Sequence, residues 1–139
     1  MFSKVKVKRG ALNHFRKLAR EAFPLEIQAV LVGKIISVNE VEIVKFVYAK
    51  EYATQTGGSV QWYQAEFDKV KEQAAKMDLR VVGDIHTHPS WDAVMSKSDY
   101  EACITEQLSI CGIVSVLKNK TRVRFWVPTS SLQCKIVYL

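Results

Sequence analysis

The chain has 139 residues, a formal net charge of +6, 48% hydrophobic residues and 24% charged residues. That is one domain's worth of sequence, long enough for a single core, and its balance excludes wholesale disorder or a collagen-like composition. The longest apolar stretch, Leu108–Leu117, is interrupted by Ser109, Cys111, Gly112 and Ser115. It falls well short of the ~20 residues that span a bilayer, and Met1–Lys6 has no apolar signal segment. A single cytoplasmic domain over residues 1–139, without membrane association, is expected.

At the N-terminus Lys4, Lys6 and Lys8 alternate with Val5 and Val7, the pattern of a short edge strand with a lysine-bearing solvent face. Lys4, Lys6, Lys8, Arg9, Arg16, Lys17 and Arg20 all precede the first acid, Glu21. The alternation assigns the first of these charges to a solvated face, and nucleic acid is not expected as a partner. From Gly10 the spacing changes. Leu12, Phe15, Leu18/Ala19 and Ala22 form the stripe of an amphipathic helix, which Pro24 should end near Ala22 or Phe23. Ile27–Val38 and Val41–Ala49, both β-branched and apolar around a turn at Asn39-Glu40, predict a hairpin or meander. Thr54–Ser59, with Gly57-Gly58, predicts a flexible loop. Val60–Met77 predicts a helix with Trp62, Ala65/Glu66, Val70, Ala74 and Met77 near one face. Leu79–Ile85 is an apolar run that predicts a buried strand, extended to His88 if Pro89 is its stop. Ser98–Gln107 suits a helix, and Ile110–Leu117, Arg122–Val127 and Gln133–Tyr138 predict three more strands, the first two joined by a turn at Lys118–Lys120. About three helices and six or seven interleaved strands predict a mixed sheet with helices packed on it. Cys103, Cys111 and Cys134 are odd in number and lack a C-x-x-C, so reduced thiols in or near the core are expected rather than a disulfide framework.

The segment richest in chemistry is Val81–Asp99. On a strand, His86 and His88 point to the same face by the two-residue period, while Pro89 leaves them at a rim. Two imidazoles there can ligate zinc, and Asp99 can add a carboxylate oxygen. Two histidines and one carboxylate would leave a fourth position for water, as in hydrolytic sites. A histidine pair at this spacing also occurs in strands without a metal, so the residues alone leave both readings open. Ser98-x-x-Glu101 has the form of a capping box, which would leave Ser96 and Asp99 less needed for capping.

His86-Thr87-His88-Pro89, six residues, then Ser96-x-x-Asp99 resembles the signature of the JAMM (MPN-plus) metalloprotease family. Its members include deubiquitinating subunits of the proteasome lid and signalosome as well as stand-alone prokaryotic proteins. Glu26-Ile27-Gln28-Ala29-Val30-Leu31-Val32-Gly33 is similar to the upstream glutamate segment of that family, with Ala29 where glycine is frequent. The resemblance implies an α/β (α+β) fold of MPN / cytidine-deaminase-like architecture, with a mixed, curved central sheet flanked by about three helices. It also implies one Zn²⁺ held by His86, His88 and Asp99, with Glu26 as general base and Ser96 as oxyanion donor. The implied substrate is the C-terminal tail of ubiquitin or of a ubiquitin-like or sulfur-carrier protein, and E1/E2-like conjugation proteins are implied partners. A non-catalytic MPN-type interaction scaffold is the alternative, although such relatives usually lack a ligand and this chain lacks none. Trp91, Gly57 and Gly58 are candidates for the substrate groove, with Tyr48–Ser59 as one wall; a packing role for Trp91 is equally open. Asp84 stands where many relatives carry an aromatic residue. It is expected as a rim carboxylate, with a role in orienting an imidazole as the alternative. His14 is expected at the surface. Nothing resembles the second zinc-binding insertion of some eukaryotic relatives.

Overall fold

A computed structural model describes residues 2–48, 53–56, 59–62, 64–130 and 132–139. In chain order the elements are β1 (Lys4–Val7), α1 (Arg9–Ala22), β2 (Gln28–Ile35), β3 (Glu40–Tyr48), β4 (Ala53–Thr56), β5 (Ser59–Trp62) and α2 (Gln64–Lys76), followed by β6 (Arg80–His88), α3 (Lys97–Thr105), β7 (Ile110–Leu117), β8 (Lys120–Val127) and β9 (Leu132–Tyr138). Seven strands form one sheet in the order β1-β3-β2-β6-β7-β8-β9, and β1 also pairs with β9, so the sheet closes into a barrel. The expected mixed, curved sheet is present, curved to closure. β1 runs parallel to both its neighbours and β6 runs parallel to β7, while the other ladders are antiparallel.

Closure corrects the expected edge position of β1. The alternation is as expected, with Val5 and Val7 buried, but the strand is hydrogen-bonded on both sides. Its lysines are partnered instead of simply solvated: Lys6 Nζ lies 3.0 Å and Lys4 Nζ 3.8 Å from the Glu40 carboxylate.

The core has three parts. α1 lays Leu12, Phe15 and Ala19 against one face of the sheet, among Val5, Leu31, Ile85, Val114 and Phe125. α2 covers Val30 and Val32 from the other face with Phe67, Val70 and Ala74. α3 adds Cys103 to Cys111, Ile113, Ala93 and Met95. Neighbouring strands approach so closely that a Cβ on Gly83 would drive into the Ile110 carbonyl oxygen.

The segment before α2 differs from its expectation. Residues 53–56 and 59–62 pair antiparallel, from Ala53↔Trp62 to Thr56↔Ser59, as a two-stranded hairpin, and the helix starts at Gln64 rather than Val60. Val60 and Trp62 alternate with polar neighbours, a strand period that the apolar spacing of the following helix masks. The buried face of α2 accordingly uses Phe67, and Met77, expected on it, is 50% exposed. Gly57 and Gly58 lie outside the described residues.

Candidate metal centre

β6 positions the histidines. Opposite Leu31 and Val32 it carries a one-residue bulge, since Leu31 pairs with Gly83 and Val32 with Val81. Beyond this bulge the strand alternates regularly. Ile85 packs in the α1 core, and Asp84, His86 and His88 share the opposite face, toward α3. β2 is locked to this end of β6 by Thr87, whose N–H donates to the Ile27 carbonyl at 3.0 Å and whose Oγ1 accepts from the Ile27 N–H at 2.9 Å. The antiparallel register Gln28↔His86, continued by two residues, carries Glu26 opposite His88. A chain separation of 62 residues thus becomes adjacency.

α3 brings the carboxylate. His86 Nε2 lies 3.1 Å from Asp99 Oδ1, His88 Nε2 lies 3.2 Å from Asp99 Oδ2, and the two Nε2 atoms are 3.2 Å apart. A tetrahedral cation with bonds of about 2.0–2.1 Å separates its donors by roughly 3.3 Å, so this donor set fits a small divalent cation and leaves one coordination position open. The second nitrogens are partnered in the way that fixes imidazole ligands. His88 Nδ1 lies 3.1 Å from the Asp92 carbonyl, to which it donates, and His86 Nδ1 faces Asp84 Oδ2 at 3.5 Å.

Ser96, not Ser98, caps α3. Its Oγ accepts from the Asp99 N–H at 3.1 Å, and its own N–H donates to Asp99 Oδ2 at 2.8 Å. Ser98 falls inside the first turn, with its Oγ 3.0 Å from Ser96 Oγ. The capping box therefore serves the site as well, because the carboxylate that completes it is the one facing both histidines.

The electrostatics follow from crowding charges into partial burial. Burial lowers the His86 pKa, but the Asp84 and Asp99 carboxylates outweigh it and hold this imidazole at about 10 in the metal-free protein. For Asp99, burial raises the pKa, and hydrogen bonds from His86 and His88 overcome it, leaving the carboxyl well below the usual range. Glu26 is shifted the other way: burial raises it above its ordinary value against the pull of His86 and His88, with a smaller push from Asp99. A half-buried carboxylate raised in this way beside an open cation position suits a general base.

Residues 8–129 match the family described as prokaryotic homologs of the JAB domain. The chain belongs to this family. Among solved structures, the JAB domain described here is similar to a JAB1/MPN domain protein from Archaeoglobus fulgidus, at 18% identity and a TM-score of 0.59 over 96% of each chain. It is also similar to a protein from Desulfitobacterium hafniense (15% identity, TM-score 0.74, over 97% of this chain and 92% of that one). A protein from Salinibacter ruber matches at 20% identity and a TM-score of 0.67, over 96% of this chain and 91% of the other. No curated protein matches the chain by sequence.

In this JAB domain Trp91 is half-buried in the segment after β6, with the Arg122 guanidinium 4.7 Å over its ring. The same segment is pinned by Trp126, whose indole N–H donates to the Ala93 carbonyl at 3.0 Å. His14 is exposed and meets only the edge of Tyr48 among the ring contacts of the described residues. All three cysteines are buried and free. Among the described residues no helix is long and apolar enough to cross a membrane. Asp84 corrects its expectation: it is not a rim carboxylate but a buried one, 8% exposed. Its two-residue offset from His86 was the signal available in the sequence, and Gln28, which donates to it at 2.7 Å, gave none.

Proposed function

We propose that this JAB domain is a zinc-dependent peptidase or isopeptidase that hydrolyses the bond following the C-terminal tail of a ubiquitin-like or sulfur-carrier protein. The observation that carries the proposal is the convergence of His86, His88 and Asp99 at cation-binding distances beside Glu26, whose charge environment is dominated by those same three residues and by burial. Two imidazoles and a carboxylate suit zinc. Zinc bound there would supply Lewis acidity, bringing the pKa of a water near 7 and polarising a substrate carbonyl.

The protein's own groups do the rest. The Glu26 carboxylate takes a proton from the attacking water and returns it to the leaving amine nitrogen. Ser96 Oγ accepts from the Asp99 N–H and, with Ser98 as the donor in their 3.0 Å hydroxyl contact, gives its single proton to the carbonyl oxygen as that oxygen gains charge. Trp91 forms one lip of the groove for the extended tail. E1/E2-like conjugation proteins are the proposed functional partners.

Native mass spectrometry of the wild type and His88→Ala tests the centre: one zinc in the first and none in the second is expected. Glu26→Gln should retain zinc and lose about 10²–10⁴-fold in cleavage of ubiquitin-like proteins bearing C-terminal extensions. A folded wild type that takes up no zinc would transfer the protein to the non-catalytic scaffolds of the MPN type.

A further inference from the structure

We propose that Asp84 is a positioning residue for the metal centre: its carboxylate, gripped by Gln28, holds the His86 ring so that Nδ1 faces inward and Nε2 faces Asp99 and His88. The inference rests on the reading of His86, His88 and Asp99 as metal ligands.

A carboxylate 8% exposed is costly to bury unless its lone pairs are used. Here donors from separate elements use them. Gln28 Nε2, on β2, donates to Oδ2 at 2.7 Å, and Cys103 Sγ, on α3, approaches Oδ1 at 3.8 Å as a weak donor. With the carboxylate held from both sides, the oxygen that faces His86 Nδ1 at 3.5 Å is fixed in position. The arrangement is also local to β6. Asp84 and His86 are two residues apart on one face, so the shorter side chain reaches the near nitrogen of the ring while the far nitrogen projects to the rim. Ligating imidazoles need such an acceptor to set ring orientation and to raise ligand basicity. His88 obtains its own from the Asp92 carbonyl, which leaves Asp84 to serve His86.

Asp84, His86 and Cys111 also lie close enough to hold a cation of their own. Orientation is favoured over a second ion because the Asp84 oxygens already accept from Gln28 Nε2 and from the Cys103 thiol.

The test uses the full chain with zinc. Zinc affinity is measured by chelator competition, and the His86 Nδ1–H resonance is followed by ¹⁵N-resolved NMR of the loaded protein. Asp84→Asn should weaken zinc by about 10–100-fold, shift the Nδ1–H signal upfield and speed its exchange with water. Gln28→Leu should move both in the same direction by less. A folded Asp84→Asn protein with unchanged affinity and an unchanged resonance would overturn the proposal. If that variant does not fold, the same null result in Gln28→Leu would do so. A second zinc equivalent lost on Cys111→Ser would also overturn it, in favour of a two-ion site. A wild type that binds no zinc defeats this inference and the peptidase reading together, whereas wild-type zinc with indifferent variants defeats only this one.

Discussion

At the scale of single residues, the centre without metal is a proton trap. Below about 10 the His86 imidazole keeps a proton between the Asp84 and Asp99 carboxylates. Because its folded pKa is raised, the stabilisation from these pairs is complete below the unfolded histidine value and fades as pH rises through about 10. Asp99 is lowered, so its share is complete above the ordinary aspartate value and is lost as pH falls through its own depressed range. A metal that takes His86 Nε2 must displace the proton. Between pH 7 and 9, zinc affinity should therefore rise about tenfold per pH unit. Calorimetry in buffers of different ionisation enthalpy should register release of about one proton per zinc. Affinity that is flat with pH, with no buffer dependence, would show that His86 is already neutral.

At the scale of elements, the cap of α3 decides how Asp99 is presented. Ser96 and Asp99 bond reciprocally, so Ser96→Ala should cost about 1 kcal/mol of stability and also weaken zinc by freeing the ligand carboxylate. Ser98→Ala, within the first turn, should change neither. Urea titration and chelator competition on the two variants separate them; equal losses would mean that the cap is shared. The sequence pattern Ser98-x-x-Glu101 pointed to the opposite outcome, because two overlapping S-x-x-acid motifs are indistinguishable until tertiary structure selects one of them. The selection is made by the histidines, which hold Asp99 in the geometry that completes the Ser96 box. The limits of legibility have the same origin elsewhere. Strand periodicity puts His86 and His88 on one face and a helix start offers Asp99, both local properties, while it is the resemblance to the JAMM signature that joins the three in one site. The barrel closure that pairs β1 with β9, the bulge in β6 and the burial of Asp84 against Gln28 depend on partners far away in the chain or at its opposite end, which periodicity does not encode. The hairpin at residues 53–62 was hidden by its brevity and by the glycines between its strands.

At the scale of the whole molecule, the three helices are held unequally. α1 buries Leu12, Phe15 and Ala19, and α2 buries Phe67, Val70 and Ala74, whereas α3 buries only Cys103 of its nine residues. α3 also packs the half-buried Tyr100 against the Cys111 and Ile113 cluster, and it is tied to the barrel by Asp99 against His86 and His88, by the weak thiol contact to Asp84 and through the preceding segment by Trp126. With so little apolar burial, α3 should open locally well below the free energy of global unfolding, and opening separates the ligands. A metal that spans β6 and α3 binds the closed form alone, so it must stabilise α3 against that opening. At a free metal concentration 100 times the dissociation constant the gain is about 2.7 kcal/mol, or roughly a hundredfold in opening equilibrium. Amide hydrogen exchange should therefore slow about a hundredfold in α3 when zinc is added at that excess, and His88→Ala should abolish the change. Amides of β7, buried on both faces of the sheet, should respond only where they exchange by global unfolding. If α3 and β7 gained protection equally, α3 would belong to the same cooperative unit as the barrel, and the metal would act as a stabiliser of the whole fold instead of a tether for one helix.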